Sequence, residues 1–107
     1  MALNAPVNAN VVGNNTVVAA VAGKKIRVKS YELTLGAGTP PCTCQFQSGA
    51  GGTNLSGVFT ANAIGAPLDA AAPMGDFLFE TAPGALLNLA TTGTGAVFGG
   101  TVEYTLE

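Results

Sequence analysis

The sequence predicts an all-β fold, an antiparallel sandwich built from one domain. Two stretches, residues 25–35 and 97–106, alternate apolar and polar residues with a period of two, the signature of half-buried strands. Short apolar runs elsewhere are separated by Gly and Pro turn signals, as in sandwiches and barrels. Between the prolines and glycines no stretch is long enough for the helix that a parallel βαβ crossover needs.

Taken in order, residues 1–14 (MALNAPVNANVVGN) are small or polar and interrupted by Pro6 and Gly13. They read as an extended N-terminal arm, loosely attached, with Val11 and Val12 as its one strand-like pair. Such an arm is either a tail or a segment that orders against a neighbouring subunit. The domain proper is expected over residues 15–107. Val17, Val18 and Val21 favour an extended chain because β-branching restricts the side chain.

The clearest strand is Lys25–Leu35, and it contains a contradiction. Ile26 and Val28 share one parity, while Tyr31, Leu33 and Leu35 share the other. A β-bulge near Ser30, or a strand passing between sheets, reconciles the two sets. Gly36–Pro41 forms a loop. Cys42, Cys44 and Phe46 then alternate with Thr43, Gln45 and Gln47. Ser48–Thr53 must turn, and Leu55–Ala61 is a weaker strand. Asp69–Ala72, between Pro67 and Pro73, has room for a single helical turn, but the run is too short for a stable helix. Asp76–Thr81 and Ala85–Thr91 are short strands around the Pro83–Gly84 turn. In the last strand, Val97–Leu106, Phe98, Val102, Tyr104 and Leu106 share a face and Thr101, Glu103 and Thr105 oppose it. The sum is about seven or eight short strands, a jelly-roll-like sandwich.

Composition narrows the function. The hydrophobic fraction is 48% and the charged fraction 9%, against roughly 25% charged in ordinary soluble domains. Either something else covers part of the surface, or Thr, Asn, Gln and Ser solvate it. Fifteen glycines cost backbone entropy and the aromatics are few, so oligomerisation is expected to bury further apolar area. All four cations, Lys24, Lys25, Arg27 and Lys29, fall in six residues, and the net charge is -2. A solvated strand face accounts for them better than a nucleic-acid or lipid site, since phosphate tracking needs many cations. No basic-then-apolar leader and no run of ~20 apolar residues is present. Synthesis in a cytoplasm, with no direct contact to nucleic acid or membrane, is therefore expected.

Reactive constellations are sparse. Histidine is absent, which excludes a His-based triad or base. Cys42-Thr43-Cys44 lacks the partners of a zinc site and the spacing of a thioredoxin motif. The pair reads as two buried hydrophobes, with an unusual disulfide or an intersubunit metal as alternatives. Asp76 and Glu80 are close in sequence but lie in no catalytic motif. No enzyme activity, cofactor or metal is expected.

Two segments together resemble a known class. Val21-Ala22-Gly23-Lys24-Lys25-Ile26-Arg27-Val28, running to Leu35, is one. The other is Leu78-Phe79-Glu80-Thr81-Ala82-Pro83-Gly84-Ala85-Leu86-Leu87-Asn88-Leu89, followed by Gly99-Gly100-Thr101-Val102-Glu103-Tyr104. The chain resembles small virion proteins of tailed bacteriophages, of the capsid cement or decoration type. That resemblance implies a virion protein on the outer capsid surface, a homotrimer or else a dimer, which holds major capsid protein subunits together. It places the capsid contact at Val11 and Val12 in the arm and at Lys24, Lys25, Arg27 and Lys29. The competing expectation is a tail-fibre or neck module contacting host glycan or another tail protein, for which an exposed Tyr31 or Tyr104 ring would speak.

Overall fold

The computed structural model describes residues 2–107. It is an all-β sandwich of two antiparallel sheets with five strands each, and contains no helix among the described residues. The strands are β1 (Leu3–Ala9), β2 (Gly13–Val18), β3 (Ile26–Ala37), β4 (Cys42–Ser48), β5 (Thr53–Asn54), β6 (Phe59–Ala61), β7 (Pro67–Ala71), β8 (Phe79–Glu80), β9 (Leu87–Thr92) and β10 (Val97–Leu106). The first sheet runs β1-β10-β3-β7, with β8 also on β3. The second runs β2-β9-β4-β5, with β6 also on β4.

The pairings are nested. β1 pairs with β10, β2 with β9, β3 with β7 and β8, and β4 with β5 and β6. The chain is thus one long hairpin folded over on itself. Two further ladders, β10 with β3 and β9 with β4, close the sheets.

The parity conflict in β3 is resolved by a bulge. Glu103 stands opposite Ser30 and Tyr104 opposite Val28, so Lys29 is an extra residue in the ladder. Ile26 and Val28 before it, and Tyr31, Leu33 and Leu35 after it, all become buried. They meet Cys42, Cys44, Phe46, Leu87 and Leu89 from the opposing sheet. The Tyr31 ring lies 5.2 Å from Phe46 and 5.5 Å from Phe59, and Phe46 lies 5.2 Å from Phe79.

Three expectations are corrected. The N-terminal stretch is no loose arm: Leu3–Ala9 is an edge strand on β10, with Val7 and Ala9 in the core. Alternate small residues were enough to pack against Phe98 and Val102, although the stretch looks weak by propensity. Met1, at the start of that stretch, lies outside the described residues. Asp69–Ala72 makes no helical turn. Pro67–Ala71 is extended because the free edge of β3 takes up its backbone hydrogen bonds. The weak strand at Leu55–Ala61 is split: Ser56 leaves the ladder, accepting from the Phe46 N–H through its hydroxyl and from Gln45 through its carbonyl.

The glycine with the tightest surroundings lies in the central ladder. At Gly100, in β10, φ is 146° and an added Cβ would stand 1.8 Å from the Glu32 carbonyl oxygen on β3. We expect Gly100→Ala to cost about 3 kcal/mol in urea unfolding, through strain and displacement of the central ladder. At Gly57 an added Cβ meets nothing within 4 Å, so Gly57→Ala should change stability by no more than about 0.5 kcal/mol.

Candidate interaction surface

Charge is partitioned in this molecule. All ten charged side chains occur in the segments 24–32, 69–80 and 103–107; residues 33–68 and 81–102 contain none. The charged segments belong to β3, β7, β8 and β10 and their flanks. The sheet made of β2, β9, β4, β5 and β6 therefore carries no formal charge.

The outer face of that sheet is built from amides and hydroxyls. Asn14 of β2, Asn88 of β9, Gln47 of β4 and Asn54 of β5 form one chain of hydrogen bonds across four strands. Asn88 Nδ2 donates to Asn14 Oδ1 and to Gln47 Oε1, both at 3.0 Å, and Gln47 Nε2 donates to Asn54 Oδ1 at 3.1 Å. These neighbours bury Asn88 completely, although strand parity turns it away from the core, and its Oδ1 has no partner among the described residues. The hydroxyls of Thr43 and Thr92 hydrogen-bond to each other on the same face. Cross-strand polar pairs of this kind stiffen a face without charge.

One end of the sandwich is also uncharged. Four short crossovers pass there from sheet to sheet: residues 10–12, 38–41, 62–66 and 93–96. They are tied together by backbone bonds such as Thr39 N–H to the Thr94 carbonyl at 2.9 Å. Val11 (62% exposed), Val12 (49%) and Ile64 (53%) stand out from this end.

The basic residues sit elsewhere. Ala9 lies opposite Phe98 on β10, whereas Arg27 lies opposite Thr105. Seven residues of strand, about 23 Å, separate the two levels. The expected contact residues Val11 and Val12 are therefore not brought together with Lys24, Lys25, Arg27 and Lys29. Three of those cations are engaged within the chain. Arg27 Nε binds Glu80 at 2.7 Å, Lys25 Nζ binds the same carboxylate at 3.4 Å, and Lys29 donates to the Asp76 carbonyl. The Arg27 guanidinium also lies 4.5 Å from the centre of the Phe77 ring. Lys24 alone makes neither an ion pair nor a side-chain hydrogen bond among the described residues.

The remaining candidates are buried or dispersed. Cys42 and Cys44 are fully buried free thiols in β4. Burial pushes the Cys44 thiol up to about 12, and Cys42 Sγ donates to the Thr39 carbonyl. Tyr31 is 8% exposed and Tyr104 half-buried, so neither offers a free ring face for a sugar. A depression of about 460 Å³ is lined by Ser30, Tyr31, Glu32, Asp69, Ala70 and Ala71. Its two carboxylates stand directly opposite each other across β3 and β7.

Sequence reading missed the amide row and the uncharged end. Both were signalled by the two long stretches without charge, and the row by the outward parity of Asn88 and Gln47. No family model, curated protein or solved structure matches the chain.

Two outcomes test this geometry. Asn88→Ala should lower stability by about 1–2 kcal/mol, as two hydrogen bonds are lost beneath covered neighbours. The hydrogen bond from Arg27 holds the Glu80 carboxyl below the ordinary carboxylate range. Its contribution is therefore present above the unfolded-state pKa of about 4.3 and is lost as pH falls through the lower folded value. Thermal melts should show Glu80→Gln less stable than the wild type at neutral pH, with the difference shrinking below about pH 4.

Proposed function

We propose that this chain is a structural protein of a tailed-phage virion, a capsid cement or decoration protein with a jelly-roll fold. It binds the outer capsid surface as a small homo-oligomer and stabilises contacts between major capsid subunits. It acts by covering surface and performs no catalysis. The nested hairpin, rolled so that strands alternate between sheets, supports the jelly-roll assignment. The resemblance of Val21–Leu35 and Leu78–Tyr104 to the cement class supports the virion role.

The observation that carries the reading is the charge partition. The core of a protein contact is depleted in charge, and short side chains lose little entropy there. The β2-β9-β4 face and the crossover end meet both conditions, while the opposite sheet keeps the solubilising charges. In this arrangement the shell contact uses the amide face, with Val11 and Val12 at its border. Lys25, Arg27 and Lys29 are occupied by their own chain and face solvent. Many such contacts engaged together around a shell give avidity without any single strong site. The burial of Tyr31 and the half-buried position of Tyr104 weigh against a glycan-binding tail module.

Imaging of particles assembled with and without this chain tests the reading. Density lost from the outer shell is expected; density lost from the tail or neck, or no difference, overturns it. On shells stripped of the protein, Thr60→Lys, exposed on the amide sheet, should weaken binding about tenfold or more, because its charge is desolvated without a partner. Lys24→Glu should leave binding within about threefold, as expected for a charge outside the contact.

A further inference from the structure

Each sheet has two edges, and three of the four are blocked against pairing with another chain. β1 carries Pro6 at its middle, which has no N–H to offer. β7 opens on Pro67 and displays the exposed Asp69 carboxylate. The β5 and β6 edge is broken into pieces of two and three residues. Short strands, prolines and charges are the usual ways of blunting an edge. The β2 edge has none of them. Gly13–Val18 contains neither proline nor charge, and its one irregularity, the extra residue Val17, comes near its end.

Exposed apolar residues flank this edge on both sides. Val11 and Val12 precede it; Ala19, Ala20 and Val21, the last 39% exposed, follow it. Nothing among the described residues covers them.

We infer that β2 pairs with β2 of a second copy, antiparallel about a two-fold axis through Asn15. Parity limits the register, since residues directly opposite must share a sheet face. Asn14 and Thr16 both point outward, so Asn14 meets the partner's Thr16. Gly13 then lies against the partner's Val17, so five strand residues pair, while the core-facing Val18 stays in its own sandwich. Moving the axis to Asn14 would pair only Gly13–Asn15 within the strand and set Thr16 against Val12, which lies in the crossover between sheets. No like charges oppose this approach, because residues 2–23 carry none. The two-fold operation closes the assembly and consumes both open edges. The two uncharged sheets become one continuous sheet with a doubled amide face.

This inference rests on the homo-oligomer part of the proposed function and selects a dimer over a trimer. It is read in solution without particles, so its failure is distinct from failure of capsid binding. Sedimentation of the intact chain at about 100 μM should show a dimer, since micromolar affinity suffices at that concentration. An oxidised mixture of Asn14→Cys and Thr16→Cys chains should give a disulfide-linked dimer. Neither variant alone should do so, because like positions lie about 8 Å apart across the axis, beyond disulfide reach. Cys42 and Cys44 are buried and contribute no background. The double variant Asn14→Lys/Thr16→Lys should sediment as a monomer that keeps the β-sheet circular dichroism spectrum and a cooperative melt, at a lower temperature because the Asn88–Asn14 hydrogen bond and the association are both lost. A wild-type monomer or trimer, a dimer retained in the lysine variant, or cross-linking no better in the mixture than in single variants overturns the inference.

Discussion

The structure depends on one extra residue. β3 carries two apolar runs of opposite parity, and without the bulge at Lys29 one run would face water. With it, Ile26, Val28, Tyr31, Leu33 and Leu35 all point at the opposing sheet. Each buried aliphatic or aromatic side chain contributes on the order of 1.5–3 kcal/mol, so a flat register would forfeit a large part of the core. The same irregularity keeps Lys25 and Arg27 outside, where Glu80 of β8 meets them.

Fixing β3 in this way also determines where charge can go. β3, β10 and their neighbours take the ionised side chains, and the other sheet is left with amides and hydroxyls. Exposed ion pairs such as Arg27–Glu80 add little to stability individually. Their placement has a larger effect than their strength, because it leaves an entire sheet and one end of the sandwich free of strongly hydrated groups. Side chains there are short or tied to one another, as in the Asn14–Asn88–Gln47–Asn54 row, so little freedom remains to be lost on contact.

Much of the fold was legible because long alternating strands report their own faces. The parity break near Ser30, the extent of Val97–Leu106 and the shared face of Cys42, Cys44 and Phe46 follow from period-two patterning, while the ladder of β10 on β3 makes the break a bulge. Leu3–Ala9 was illegible because its buried residues are few and small, and its place is set by β10, nearly a hundred residues away. Pro67–Ala71 was misread for a related reason: its alanines are locally helix-favouring, and the edge of β3 overrides them. The site residues fared unevenly. Val11 and Val12 are exposed as a contact would require, yet they and the basic cluster occupy opposite ends. Sequence spacing cannot show that, since it depends on which strand neighbours which.

The nested pairing has a kinetic consequence. The first strand completes its ladder only on the last, and β3 reaches its inner neighbour only when Val97–Leu106 is in place. Loop-closure entropy must be overcome across almost the whole chain before these ladders reward it, so acquisition of the native state should be slow for a domain of this size. During translation, the early strands must wait with their edges open until Val97–Leu106 emerges. A chain with so few charges has little electrostatic repulsion to keep it from meeting its neighbours in that interval.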